Sequence, residues 1–223
     1  MATRRIAPGY LLSLATALAV GIVLVMLALP CTAAGLAELH GTLTINELRD
    51  GAPISDRATE SAIQSFKAAN DWVDTASCWS ALARLHYARA LQAEHGSEER
   101  LAALELSQTA SRKAIALNPA LLEPWLRLAQ SEFALNHVTP QMTKALAMTY
   151  RTGRYNRFTV FAMSELAFVS WSKLDRETRA AAGTQFAAIS EQLHASAIVR
   201  RALRYHPEVL AKFDRAVKHH KES

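Results

Sequence analysis

From Ile6 to Ala37 the chain carries no charged residue, and a dense apolar run within that stretch extends from Leu11 to Leu29. That is about 19 residues, close to the roughly 20 an α-helix needs to cross a bilayer, so a transmembrane anchor is predicted over residues 9–30. Arg4 and Arg5 precede it and Glu38 follows it. The excess of positive charge that marks cytoplasmic flanks then leaves residues 1–8 in the cytoplasm and exports the rest. A cleavable leader is the alternative reading, because the small residues Thr32, Ala33 and Ala34 follow the run. The apolar core of such a leader spans about 7–15 residues, and the longer run here favours a retained anchor. In a bacterium this describes a single-pass inner-membrane protein with a periplasmic C-terminal domain.

Residues 31–54 read as a linker, with Gly41, Gly51 and Pro53 punctuating it from Glu38 onward. Half of the 223 residues are apolar, enough for a real core in one domain or two. Alanine is abundant, glycine and proline are scarce, and no alternating Val/Ile/Thr run suggests a strand. The fold class expected is therefore all-α. A net charge of +5 is modest and does not argue for nucleic acid. Two cysteines, Cys31 and Cys78, supply neither a multi-bridge framework nor a four-thiolate metal site, and Cys78 reads as a small buried residue.

Helix punctuation is clear beyond the linker. Ser55 or Asp56 caps a helix whose Ala58, Ala62, Ile63, Phe66, Ala69 and Val73 share one face. Gly96 ends the next helix and Ser97 opens another. One helix stops at Asn118-Pro119 and its successor opens at Pro124-Trp125. Thr139-Pro140 starts a helix that Gly153 ends, Asp175 caps another, and Pro207 starts a basic helix over residues 206–223. Three similar stretches lie within this series. They are Trp79-x2-Leu82-Ala83-x2-His86-Tyr87, Trp125-x2-Leu128-Ala129-x2-Glu132-Phe133, and Met163-x2-Leu166-Ala167-x2-Ser170-Trp171.

This pattern, with Pro119 six residues before Trp125, resembles the tetratricopeptide repeat, in which Trp-x2-Leu-Gly-x2-Tyr is followed by Ala-x3-Phe and then Pro. The departures are regular. Alanine replaces the glycine, the aromatic falls one place late in each copy, and Ser107 and Ser111 stand where the second helix would carry Ala-x3-Phe. The copies are spaced 46 and 38 residues apart, against about 34 in the family. The resemblance implies an α-solenoid of helical hairpins over residues 55–205, in which Trp79, Leu82, Ala83, Pro119, Trp125, Leu128, Ala129, Leu166, Ala167 and Trp171 pack neighbouring units together. The layout is also similar to bacterial proteins associated with exopolysaccharide or O-antigen assembly.

Catalytic motifs are lacking. No glycine-rich phosphate loop, His-Glu-x2-His or Gly-x-Ser-x-Gly elbow occurs. Ser170 and Lys173 match Ser-x2-Lys but lie inside the third repeat stretch without companion motifs. His206, His219 and His220 have no ligand-spaced carboxylate or cysteine beside them. No catalytic, cofactor or metal residue is therefore assigned, and the protein is not expected to be an enzyme. Candidate binding residues are charged. Arg151, Arg154 and Arg157 surround Gly153, where they either grip an anionic partner or offset a helix C-terminus. Glu132 and Glu165 sit in the repeat stretches, where they either pair with arginines such as Arg127 and Arg157 or face a ligand. From Ala195 onward seven basic residues meet three acidic ones, whereas residues 38–194 hold sixteen and seventeen. That patch suits anionic lipid or glycan, or is simply a solvated basic helix.

The expectation is a membrane-anchored scaffold that holds a segment of another envelope protein against its concave face, without cofactor. The alternative from another class is an envelope enzyme subunit or anionic-glycan binder that uses the Arg151/Arg154/Arg157 group.

Overall fold

A computed structural model describes residues 8–49, 54–153 and 159–192, and the described residues are almost entirely helical. In chain order the helices are α1 (Pro8–Arg49), α2 (Asp56–Trp72), α3 (Ala76–Gln92), α4 (Glu98–Leu117), α5 (Leu122–Asn136), α6 (Pro140–Thr152), α7 (Val160–Ser170) and α8 (Arg176–Gln192). A single 3₁₀ turn, Trp171–Lys173, separates α7 from α8. The expected basic helix over 206–223, with His206, His219 and His220, lies outside the described residues.

Short polar side chains start most of the helices. The hydroxyls of Ser55, Thr75, Ser97 and Thr139 accept from the backbone N–H three residues on, at 3.2, 3.2, 3.2 and 3.1 Å. Asp175 does the same for Thr178 at 2.7 Å. Each such cap contributes about 1 kcal/mol. Gly96, at φ +83, supplies the left-handed residue between α3 and α4. The joint after α4 is tied by Trp125, whose indole Nε1 donates to the Pro119 carbonyl at 2.8 Å, which accounts for the six-residue spacing. The chain re-enters a helix at Leu122, two residues before Pro124, so that proline falls in the first turn where its missing N–H costs little.

The predicted linker needs correction. α1 does not end near residue 30 but continues through Pro30, Gly35 and Gly41 to Arg49. At 1.5 Å per residue, its 42 residues reach about 63 Å, roughly twice the hydrocarbon thickness of a bilayer. Among the described residues this is the helix long and apolar enough to cross a membrane. Its C-terminal part is the first helix of the folded region. Ala34, Gly41, Thr44 and Ile45 are buried, and Ala37 and Leu48 half-buried, a helical stripe that faces α2. Gly41 is not a breaker. A Cβ there would meet the Phe66 ring at 2.6 Å, so glycine is what lets α1 and α2 approach this closely. Packing against Phe66 outweighs the helix penalty of about 1 kcal/mol for glycine.

Each helix packs chiefly on its sequence neighbours, and α1 also meets α3, α3 meets α5, α5 meets α7, and α6 meets α8. The leucine and alanine of all three repeat stretches, Leu82-Ala83, Leu128-Ala129 and Leu166-Ala167, are at most 5% exposed. Two larger apolar clusters form around them, one from α1, α2 and α3 with Ala110 of α4 and one from α5 to α8, and a smaller third joins Ala90 of α3, Ala103 and Leu104 of α4, and Ala134 and Leu135 of α5. Beside that small cluster the α4–α5 contact carries buried polar groups. Ser107 Oγ donates to the Ala83 carbonyl at 2.9 Å and accepts from Ser131 Oγ at 2.9 Å. These serines let the three helices approach closely while each of the two buried hydroxyls finds an acceptor.

Candidate functional site

Helices α3, α5 and α7 turn one side each toward a shared groove of about 1060 Å³, which Leu48 of α1 and Arg100 at the start of α4 also line. α3 supplies Arg84, Tyr87, Ala88 and Leu91, and α5 supplies Glu123, Arg127, Gln130 and Ala134. Within each set the spacing of three and four residues places the side chains on one helical face. From α7 come Ala162, Glu165 and Leu166.

The groove's cations differ in what they touch. Arg84 is paired with Glu123. Arg100 donates from Nη1 to the Ala90 carbonyl at 2.7 Å. Arg127 instead lies over the Tyr87 ring, with its guanidinium carbon 4.9 Å from the centroid. Burial, reinforced by the Arg84 charge, pulls the Arg127 pKa down to about 10, so it stays charged at neutral pH in surroundings that disfavour the charge. Burial also raises the Tyr87 phenol. At the far edge His137 ends α5 at φ 59, a backbone conformation that costs a non-glycine residue about 1–3 kcal/mol. Its ring meets Phe133 edge to face at 6.2 Å.

The charged residues singled out in the sequence fall in different places. Glu132 is buried and is not a groove residue. It accepts from Gln108 Nε2 at 2.8 Å, Thr139 Oγ1 at 3.0 Å and Asn136 Nδ2 at 3.3 Å, none of them an arginine. Glu165 is exposed and lines the groove. Arg151 is exposed on α6 and its Nη2 stands 2.8 Å from Glu177 Oε2, while Arg154 and Arg157 lie outside the described residues. Ser170 is buried and donates to the Leu166 carbonyl at 2.6 Å, which engages its hydroxyl within the helix. Lys173 is exposed in the 3₁₀ turn that follows.

No family model, curated protein or solved structure matches this chain. Its function is therefore read from the groove itself. Sequence reasoning noticed Arg127 only as a partner for buried acids, read Tyr87 only as the aromatic of its repeat stretch and passed over Arg84. A usable signal was present. Arg127 and Glu165 each stand two residues after the first position of their repeat stretch, and Tyr87 and Phe133 each stand eight after. These non-core positions recur from copy to copy and line the groove. Trp171 occupies the same eighth position but is buried beyond the end of α7. Among the described residues no group of three or more His, Cys, Asp or Glu side chains gathers as a metal site. Cys78 is buried, its thiol donates to Glu38 Oε2 at 3.1 Å, and burial above all pushes its pKa up to about 11, so it is a poor nucleophile.

Proposed function

We propose that this protein is a membrane-anchored scaffold whose α3–α5–α7 groove holds a segment of another envelope protein. The observation that carries the reading is the groove. It is built from the first helices of successive hairpins, is lined by both apolar and charged side chains, and is large enough for several residues of extended chain. A tetratricopeptide-like array accounts for the contacts between alternate helices, and such arrays bind partners on this side. The charge-free part of α1, before Glu38, is the anchor, with the N-terminus in the cytoplasm, the inner membrane crossed once and the hairpins in the periplasm. The unbroken helix from Pro8 to Arg49 and the burial of Ala34 in the core support a retained anchor over a cleaved leader. The likeness in layout to polysaccharide-assembly proteins suggests that pathway for the partner. The rival reading through the arginine group is weakened by the pairing of Arg151 with Glu177.

The test is recovery of the full-length protein, tagged after Ser223, from native membranes in mild detergent, beside the groove variant Leu91→Lys. Leu91 is 58% exposed, so a lysine there leaves the core intact. One stoichiometric envelope protein recovered with the wild type and lost with Leu91→Lys is the expected result. Recovery of this protein alone in both preparations overturns the scaffold.

A further inference from the structure

The groove contains a cation that Glu123 acts on from a distance but that no carboxylate pairs directly among the described residues. Arg127 makes no ion pair and no hydrogen bond among the described residues, and its one polar contact is with the face of Tyr87. The other two arginines are committed, Arg84 to Glu123 and Arg100 to a backbone carbonyl. Leaving a partly buried charge without a directly paired carboxylate is costly, and a guanidinium stacked on an aromatic ring still has its in-plane N–H donors to offer. The arrangement is pre-set to receive a planar anion.

The residues around it narrow the chemistry further. Tyr87 is covered on one face by Arg127, and Phe133 is engaged edge-on by His137, so neither ring is free on both sides to sandwich a sugar. Leu91, Ala134 and Leu166 supply apolar contact within the same groove. A polypeptide with an acidic side chain between apolar ones matches both features.

We propose that Arg127 is the specificity-determining contact of the groove, and that it binds a side-chain carboxylate of an acidic, otherwise apolar peptide segment. The inference rests on the scaffold reading and names the chemistry of its partner. A bound carboxylate completes a charge-assisted fork of the kind that is strongest where water is partly excluded. It also returns Arg127 to an environment that favours its charge. Glu123 limits the attraction by cancelling Arg84, so the site takes one carboxylate in preference to several.

The experiment uses full-length protein in mild detergent at low salt and an array of short synthetic peptides. The peptides are made from Leu, Phe, Ala and Ser around one fixed position that is Glu, Gln or Lys. Wild type is expected to retain Glu peptides about tenfold better than Gln peptides, and Lys peptides least. Arg127→Met should bring the Glu and Gln signals together. Glu123→Gln, which frees Arg84, should widen the Glu preference, a gain that misfolding cannot mimic. Equal retention of Glu and Gln peptides by the wild type overturns this inference and leaves the scaffold standing. Retention of no peptide at all overturns the scaffold and the inference together. Binding of a uronic-acid oligosaccharide that Arg127→Met abolishes, with peptides inert, replaces the peptide by a glycan and overturns the proposal.

Discussion

Where α1 meets α2, a glycine lies against a phenylalanine ring and every buried neighbour but Thr44 and Thr59 is apolar. Where α4 meets α5, two serines, a glutamine and a glutamate pair within the contact, beside a small apolar cluster of Ala103, Leu104, Ala134 and Leu135. Both seams bring helices close together, the first by removing a side chain and the second by using small hydroxyls that satisfy one another. The difference concerns tolerance. An apolar seam depends on shape and fails when volume changes, whereas a polar seam depends on pairing and fails when one partner is removed. The groove lies beside the second kind, with Glu132 on the same helix as Arg127 but turned into the core. Carboxylates on α5 are thus used for folding at one face and for balancing Arg84 at another.

The largest effect is expected at the apolar seam. Phe66→Ala leaves a cavity against Gly41 and should lower stability by about 3–5 kcal/mol, read from the denaturant midpoint of the full chain in mild detergent. Gly41→Ala sharpens the point, because its methyl collides with the Phe66 ring. Alone it should cost about 1–2 kcal/mol. In the Phe66→Ala background the same change should stabilise, by up to about 1 kcal/mol, since the clash is gone and alanine is the better helix former. Additive effects of the two changes would show that α1 and α2 do not touch at Gly41.

At the polar seam Glu132→Ala strands the donors of Gln108, Asn136 and Thr139 and should cost about 3 kcal/mol. Glu132→Gln keeps the shape and one acceptor and should cost about half as much. Equal losses for the two would mean that the charge, not the pairing, holds the seam.

His86 brings pH into the apolar side. It is buried on α3, its Nδ1 has no partner, and Lys67, Arg89 and Glu60 are the charges acting on it. Burial first, then Lys67 and Arg89, lower its pKa from 6.5 to about 4. The folded state therefore binds this proton less readily than the unfolded chain. Its stability is fully present above about pH 6.5 and declines as pH falls toward 4, by on the order of 2–3 kcal/mol. His86→Leu should flatten that decline in denaturation midpoints followed across the same range. An unchanged slope in the variant would assign the acid sensitivity to other groups.

The residues that sequence rules read well are those whose role is local. Ser55, Ser97, Thr139 and Asp175 cap because the oxygen and the N–H it receives lie three residues apart, whatever the rest of the chain does. The Leu-Ala pairs were legible for a similar reason, since helical spacing alone puts them on one face. Gly41 was misread because its role is set by Phe66, 25 positions away in the chain. Glu132 was misplaced because the spacing that marks a core face does not say whether an acid on that face finds donors across the interface. The groove was half visible. Arg127 and Tyr87 are single residues on separate helices, and only the α3–α5 contact brings the guanidinium over the ring.

The smallest effect belongs to the serine pair. In Ser131→Ala, Ser107 still donates to the Ala83 carbonyl and loses only a group that donated to it. The expected cost is about 0.5–1 kcal/mol. Ser107→Ala is the more severe change, because it leaves the Ser131 hydroxyl with no acceptor in a fully buried place and also removes the bond to Ala83. The ratio of the two costs tests whether the seam works by pairing. If close approach were all that mattered, alanine would serve as well as serine at either position, as it does at Ala83 and Ala129, and both variants would keep the wild-type midpoint. A loss for Ser107→Ala about twice that for Ser131→Ala would show that the hydroxyls hold the α3, α4 and α5 backbones at the spacing that places Arg127 over Tyr87.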